Sequence, residues 1–208
     1  MKLLRTTACA IVLSGMAPVA LAGGDDFRID AVHSQIFFSA SHDGYTNPSG
    51  RLRVKDGTFH FDAGDWSQSR VDATIDIAAL DMGDAPWNDK LLNAFFDAKR
   101  YPTAHFVSTR VEKTGERTGV IHGRLTLLDK TRPVDVQVTF NKAAVNGYTL
   151  KYVAGFSATA KFKRSDFGMT RDLNSVGDMV DVRMEIEGRR DGDAKTPAPS
   201  ESAEKSES

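Results

Sequence analysis

Much of the chain alternates apolar and polar residues with a period of two. Ile36, Phe38, Ala40 and His42 fall on one side of a run, with Phe37, Ser39 and Ser41 on the other. This is the signature of a strand with one face turned to a core. The same alternation sets Val71, Ala73, Ile75 and Ile77 against Asp72, Thr74 and Asp76. It sets Val134, Val136, Val138 and Phe140 against Asp135, Gln137 and Thr139. Ala154, Phe156, Ala158, Ala160 and Phe162 share a face opposite Ser157, Thr159, Lys161 and Lys163, as do Val180, Val182, Met184 and Ile186 opposite Asp181, Arg183, Glu185 and Glu187. Further runs near 52–61, 104–112 and 120–128 bring the total to about eight strands. Asn47-Pro48, Asp56-Gly57, Lys113-Thr114-Gly115 and Asn146-Gly147 supply turn signals between runs.

One-sided alternation suits antiparallel sheet, and about eight such strands with little helix predict a closed barrel or a two-sheet sandwich. Small inward residues (Ala40, Gly123, Ala154, Ala158, Ala160) beside large ones leave room for an interior volume. An outer-membrane barrel turns its apolar face outward instead. Lys161, Lys163, Arg183, Glu185 and Glu187 on the polar faces, without aromatic girdles, favour an apolar interior. One helix interrupts the strands, over about 86–96: Asp84 can cap it, Pro86 suits its first turn, and Trp87, Leu91 and Phe95 recur every fourth residue, with Leu92 and Phe96 widening the stripe.

The ends differ from the middle. Lys2 and Arg5 precede an apolar run over 8–21, and Ala20-Leu21-Ala22 forms a small-x-small cleavage site. Residues 1–22 therefore read as a secretory signal and the mature chain as periplasmic. The domain spans 23–189, and 190–208, rich in Asp, Glu, Ser, Ala and Pro, reads as a disordered charged tail. Cys9 is the only cysteine and lies in the signal, so thiol chemistry and disulfides drop out of the mature chain. With 27 basic and 28 acidic residues, and Lys2 and Arg5 removed with the signal, no basic excess exists to bind nucleic acid.

No catalytic constellation emerges. His33, His42, His60, His105 and His122 are scattered singly, without metal-ligand spacing, and no Gly-x-Ser-x-Gly elbow or phosphate loop occurs. Neither a metal nor a cofactor is expected. His42 shares the face of Ile36 and Phe38, so it is expected to point inward near its strand end, hydrogen-bonded either to a protein group or to a ligand oxygen. Arg164 and Asp166 read as a local ion pair holding a turn.

Several short words then fall in order. They include Phe27-Arg28-Ile29-Asp30 with His33-Ser34, His42-Asp43-Gly44-Tyr45, and Asp56-Gly57-Thr58-Phe59-His60-Phe61-Asp62. Phe96-Asp97-Ala98-Lys99-Arg100-Tyr101-Pro102, Lys130-Thr131-Arg132-Pro133-Val134, Arg164-Ser165-Asp166-Phe167-Gly168 and Val176-Gly177-Asp178 follow. Over residues 27–189 the chain resembles the YceI-like, polyisoprenoid-binding periplasmic proteins. The resemblance implies an extended eight-stranded antiparallel lipocalin-like barrel holding an isoprenoid, an isoprenoid quinone or a similar amphiphile, without catalysis. The stretch from Leu80 to Leu92 departs from the family's charged, His-containing segment, which bears on headgroup preference.

Combined with the alternation, this gives a candidate cavity lined by Ile36, Phe38, His42, Ile75, Leu91 and Phe95, and on the remaining strands by Phe106, Val136, Phe140, Phe156 and Phe162. Transient membrane contact and a homodimer are compatible with this reading. The competing expectations are a stress-response scaffold for a protein partner, which predicts a solid core, and an enzyme acting on an amphiphile, which predicts turnover dependent on His42.

Overall fold

In the computed structural model, residues 23–190 are described; the expected signal and the expected tail beyond Arg190 lie outside them, and Arg190, assigned to that tail, instead ends a strand opposite Phe27. The period-two runs become β1 (Asp25–Ile29), β2 (Gln35–His42), β3 (Ser49–Phe61), β4 (Arg70–Asp81), β5 (Thr103–Lys113), β6 (Thr118–Leu127), β7 (Lys130–Val145), β8 (Tyr152–Lys163) and β9 (Val176–Arg190), with one helix, α1 (Ala85–Ala94). Every strand pairing is antiparallel, from β3 through to β9 in sequence order. β1 and β2 each pair with both β3 and β9. The sheet therefore closes on itself, which decides for the barrel over the sandwich.

The nine segments make eight staves, because β1 and β2 are one stave broken in the middle. β1 ends with Ile29 opposite Gly188, and β2 begins with Gln35 opposite Glu185. The polar loop between them replaces the missing ladder bonds. Asp30 donates its amide to the Glu187 carbonyl at 2.7 Å, and Ser34 Oγ accepts from the Glu187 amide at 3.1 Å. Buried backbone groups rarely go unpaired, so Asp30 and Ser34 are themselves buried.

Asp56-Gly57 does not form a turn. It lies inside β3, where the register against β4 shifts between Val54 and Asp56. A side chain at Gly57 would stand 2.9 Å from the Asp72 carbonyl, so the glycine admits close approach of the neighbouring backbone at a bulge. The helix runs slightly earlier than the stripe predicts: Asp84 caps it by accepting from the Trp87 amide at 2.9 Å, and Phe95 is its C-cap.

The apolar faces turn inward throughout. Ile36, Val54, Ile77, Val111, Val136 and Ala158 are buried, whereas Lys161, Arg183 and Glu185 face out and form ion pairs there. That is the reverse of the outer-membrane arrangement. No helix among the described residues is long and apolar enough to cross a membrane.

Candidate ligand-binding cavity

An interior volume of about 300 Å³ runs along the barrel, at the lower end of the range for small-molecule sites. Its accessible wall is wholly apolar. Arg70 and Arg164 border it with their polar atoms turned elsewhere: Arg70 reaches Asp26, and Arg164 reaches backbone carbonyls. A polar head placed inside would have nothing to bond with and would forfeit its water, at a cost of a few kcal/mol. The cavity suits a hydrocarbon.

The two ends are built differently. At the β3–β4 end, a single turn of 3₁₀ helix (Trp66–Gln68) inserts Trp66, which is 4% exposed. Trp66 packs edge-on to Phe61 at 5.5 Å, Phe61 lies 4.9 Å from Phe140 and 5.0 Å from Phe156, and Lys113 sits over the indole at 5.7 Å. Gly119 leaves the space the indole needs, since a side chain there would collide with it. This end is an aromatic plug.

The opposite end is covered by α1, none of whose residues is fully buried. Leu91 on the helix and Phe95 and Phe96 just after it reach the cavity. The Arg164 guanidinium lies 5.6 Å over the Phe95 ring and donates to the carbonyls of Gly177 and Val176 at 3.0 and 2.7 Å and to that of Met169. Arg164 makes no ion pair with Asp166 among the described residues; its work is to tie the loop after β8 to the start of β9 and to α1. Burial pulls its pKa below the ordinary arginine value, opposed by the charges of Asp178 and Asp172.

Ile36, Phe38, Ile75, Leu91 and Phe95 lie on the cavity wall, with Phe106, Val136, Phe156 and Phe162. Two of the expected residues do not. His42 is the last residue of β2, past a register shift against β9; there its side chain is 55% exposed and its ring lies 6.5 Å from that of Trp87. Phe140, opposite Phe156, keeps the inward face the period gives it but lies at the closed end, where it joins the aromatic plug. Trp66, Leu52, Val54 and Ala104 line the wall without having been expected there. Leu52 and Val54 lay in a recognised run, but the three-residue turn holding Trp66 has no periodicity to read.

One polar cluster stands apart, at the break between β1 and β2. Asp30, His33 and Glu187 bring possible ligand atoms within 4.8 Å of one another. Asp30 already accepts from the Val32 and His33 amides and the His33 ring, and Arg189 lies 3.3 Å away. Burial alone would raise the Asp30 carboxyl, but the His33 bond, the Val32 amide and the Arg189 charge outweigh it and hold it below its ordinary value. The Asp30 hydrogen bond and charge raise the His33 pKa, against some desolvation and the Arg189 charge.

The signs follow from linkage. Stability from Asp30 is present above the ordinary carboxylate pKa and is lost only as pH falls through its lowered value. Stability from His33 is full below about pH 6.5 and is lost as pH rises through its raised value. The protein is expected to melt slightly lower as pH rises across that window, by less than about 1 kcal/mol because the exposed imidazole is screened. In thermal melts, His33→Gln should remove the slope; a variant that keeps it would place the titration elsewhere.

A YceI-like domain model matches residues 27–188, a span that takes in all but the outer ends of β1 and β9. The chain belongs to the YceI-like family. A UPF0312 protein of Ectopseudomonas mendocina is 35% identical over 198 residues, covering 90% of this chain and 100% of that one. Another from Photorhabdus laumondii is 37% identical over 194 residues, covering 91% and 97%. Among solved structures, Burkholderia cenocepacia BcnA is similar at a TM-score of 0.65 and 27% identity, covering 76% of this chain and 98% of its own. A polyisoprenoid binding domain from Saccharophagus degradans shares the fold at a TM-score of 0.59 and 15% identity, covering 79% of this chain and 98% of its own. These neighbours agree with the closed antiparallel barrel carrying one helix.

Proposed function

We propose that this YceI-like protein is a periplasmic binding and carrier protein. It encloses the hydrocarbon chain of a polyisoprenoid, an isoprenoid quinone or a similar amphiphile and performs no chemistry on it. The observation that carries this reading is the cavity of about 300 Å³ whose accessible wall is wholly apolar. An eight-stranded barrel is wide enough for one slender ligand. Each methylene-sized group moved from water to such a wall gains roughly 0.8 kcal/mol, so a few isoprene units outweigh much of the cost of association. The weakly buried α1 is the natural door, since opening it disturbs less packing than expelling Trp66. The polar head then stays at that end, near His42 and Trp87. Export rests on the leader sequence, and the polyisoprenoid class draws support from the Saccharophagus neighbour.

Native mass spectrometry of the protein isolated from its own periplasm, followed by organic extraction, tests the reading. A one-to-one complex with a polyprenyl or quinone species is the expected result. Protein that arrives free of lipid and refuses such lipids when they are offered would defeat it.

A further inference from the structure

The turn between β7 and β8 holds three large apolar side chains in solvent: Val145 is 60% exposed, Tyr148 97% and Leu150 76%. The turn is internally bonded. Asn146 Oδ1 accepts from the Tyr148 and Thr149 amides at 2.9 and 3.0 Å, while the Asn146 and Leu150 amides each close a bond of 2.8 Å, to the carbonyls of Lys151 and Asn146. Leu150 sits at φ 56°, a left-handed conformation that is uncommon for a side-chain-bearing residue. Such a cost is usually kept where it serves a site, and the barrel core gains nothing from side chains this exposed.

Charge points the same way. Between Asp135 and Asp166 the chain contains no acidic residue, although the whole protein has a formal net charge of −1. Lys142 and Lys151 flank the turn within that stretch. The turn also projects: pairing of β6 with β7 begins at Thr118 opposite Thr139, so the tip passes beyond the neighbouring β5–β6 turn.

We propose that this turn docks the protein on an anionic lipid bilayer. Val145, Tyr148 and Leu150 enter the headgroup region, and Lys142 and Lys151 meet lipid phosphates. A phenol between an apolar tip and a polar surround fits the membrane–water boundary. Lysines near an anionic leaflet add an attraction that salt screens. The proposal is independent of the cargo, because the turn lies at the Trp66 end, away from α1.

Co-sedimentation of the isolated protein with vesicles of phosphatidylglycerol and phosphatidylcholine in equal parts tests it. The protein is expected to pellet with these vesicles, less so at high salt, and to stay in solution with phosphatidylcholine alone. Tyr148→Ser combined with Leu150→Ser should lower partitioning at least about tenfold, with an unchanged melting curve because both side chains are exposed. Lys142→Gln combined with Lys151→Gln should lower it by roughly tenfold or more. A parent protein that stays in solution with the anionic vesicles overturns the proposal, as does a serine variant that pellets like its parent. A lipid-free dimer that the serine variant dissolves would overturn it too, by making the turn a self-association surface.

Discussion

Ala160→Phe is expected to abolish uptake of long-chain lipids while leaving the barrel folded. Ala160 lies opposite Val136 on β7 and Val182 on β9, and Phe38 of β2 lies opposite Val182. All four line the cavity, so a benzyl group at Ala160 projects into the bore at a level where its neighbours leave room. It would displace about four methylene-sized groups of a threaded chain, worth about 3 kcal/mol, or about a hundredfold in affinity. Overpacking a solid core commonly costs about 1–3 kcal/mol; here the new ring fills space, so stability should hold. Thr159→Phe, one residue away on the outer face, is the control and should bind as the parent does. Displacement of a fluorescent polyene chain reads both. Undiminished binding by Ala160→Phe would mean that no chain passes this level of the barrel.

Arg164→Met should be the most destabilising conservative change in the molecule outside the aromatic core. Arg164 is 3% exposed, and its three donor atoms hold the carbonyl of Met169 in the loop after β8 and those of Val176 and Gly177 at the start of β9. Methionine keeps much of the bulk but leaves those carbonyls without a donor, at about 1–3 kcal/mol for each that stays buried. The variant no longer has to strip water from a guanidinium, and some water can enter from the exposed loop at Arg171 to Ser175. The net loss should be about 3 kcal/mol. A urea titration would show it as a lower midpoint at similar slope. Arg164→Lys should recover only part, because an ammonium cannot address three divergent acceptors as the planar fork does. An unchanged midpoint for the methionine variant would show that the loop is held by other contacts, such as Ser165 to Asp178, whose amide and hydroxyl bonds are both 2.9 Å.

How much of this was legible beforehand depends on periodicity. Where a strand pairs without interruption, alternation assigns its inward face directly, and Ile36, Phe38, Ile75, Val136, Phe156 and Phe162 lie where the period places them. His42 and Phe140 miss the wall by their level along the bore: His42 ends β2 at the rim beside Trp87, and Phe140 keeps its inward face but lies in the aromatic plug. No short-range pattern announces that level. Asp56-Gly57 failed because a dipeptide that favours turns also favours bulges. Arg164 and Asp166, two positions apart, invited an ion pair, but the carbonyls of Met169, Val176 and Gly177 come from further along the chain and are invisible without the fold. Trp66 and the Asp30–Ser34 break owe their places to contacts between distant segments: Trp66 needs the gap at Gly119, and Ser34 needs the Glu187 backbone.

Closure of the sheet also governs what kind of contact other macromolecules can make with this protein. An open sheet offers its outer strand as a template, and any extended peptide can extend it through backbone hydrogen bonds. Here every strand among the described residues has a partner on both sides, and even the gap between β1 and β2 is mended by Asp30 and Ser34. A visiting chain finds free backbone only where a strand outruns its neighbour, as β7 does beyond Thr139, so along the wall recognition passes through side chains. The same property guards the barrel wall against the edge-to-edge stacking by which β-rich chains aggregate.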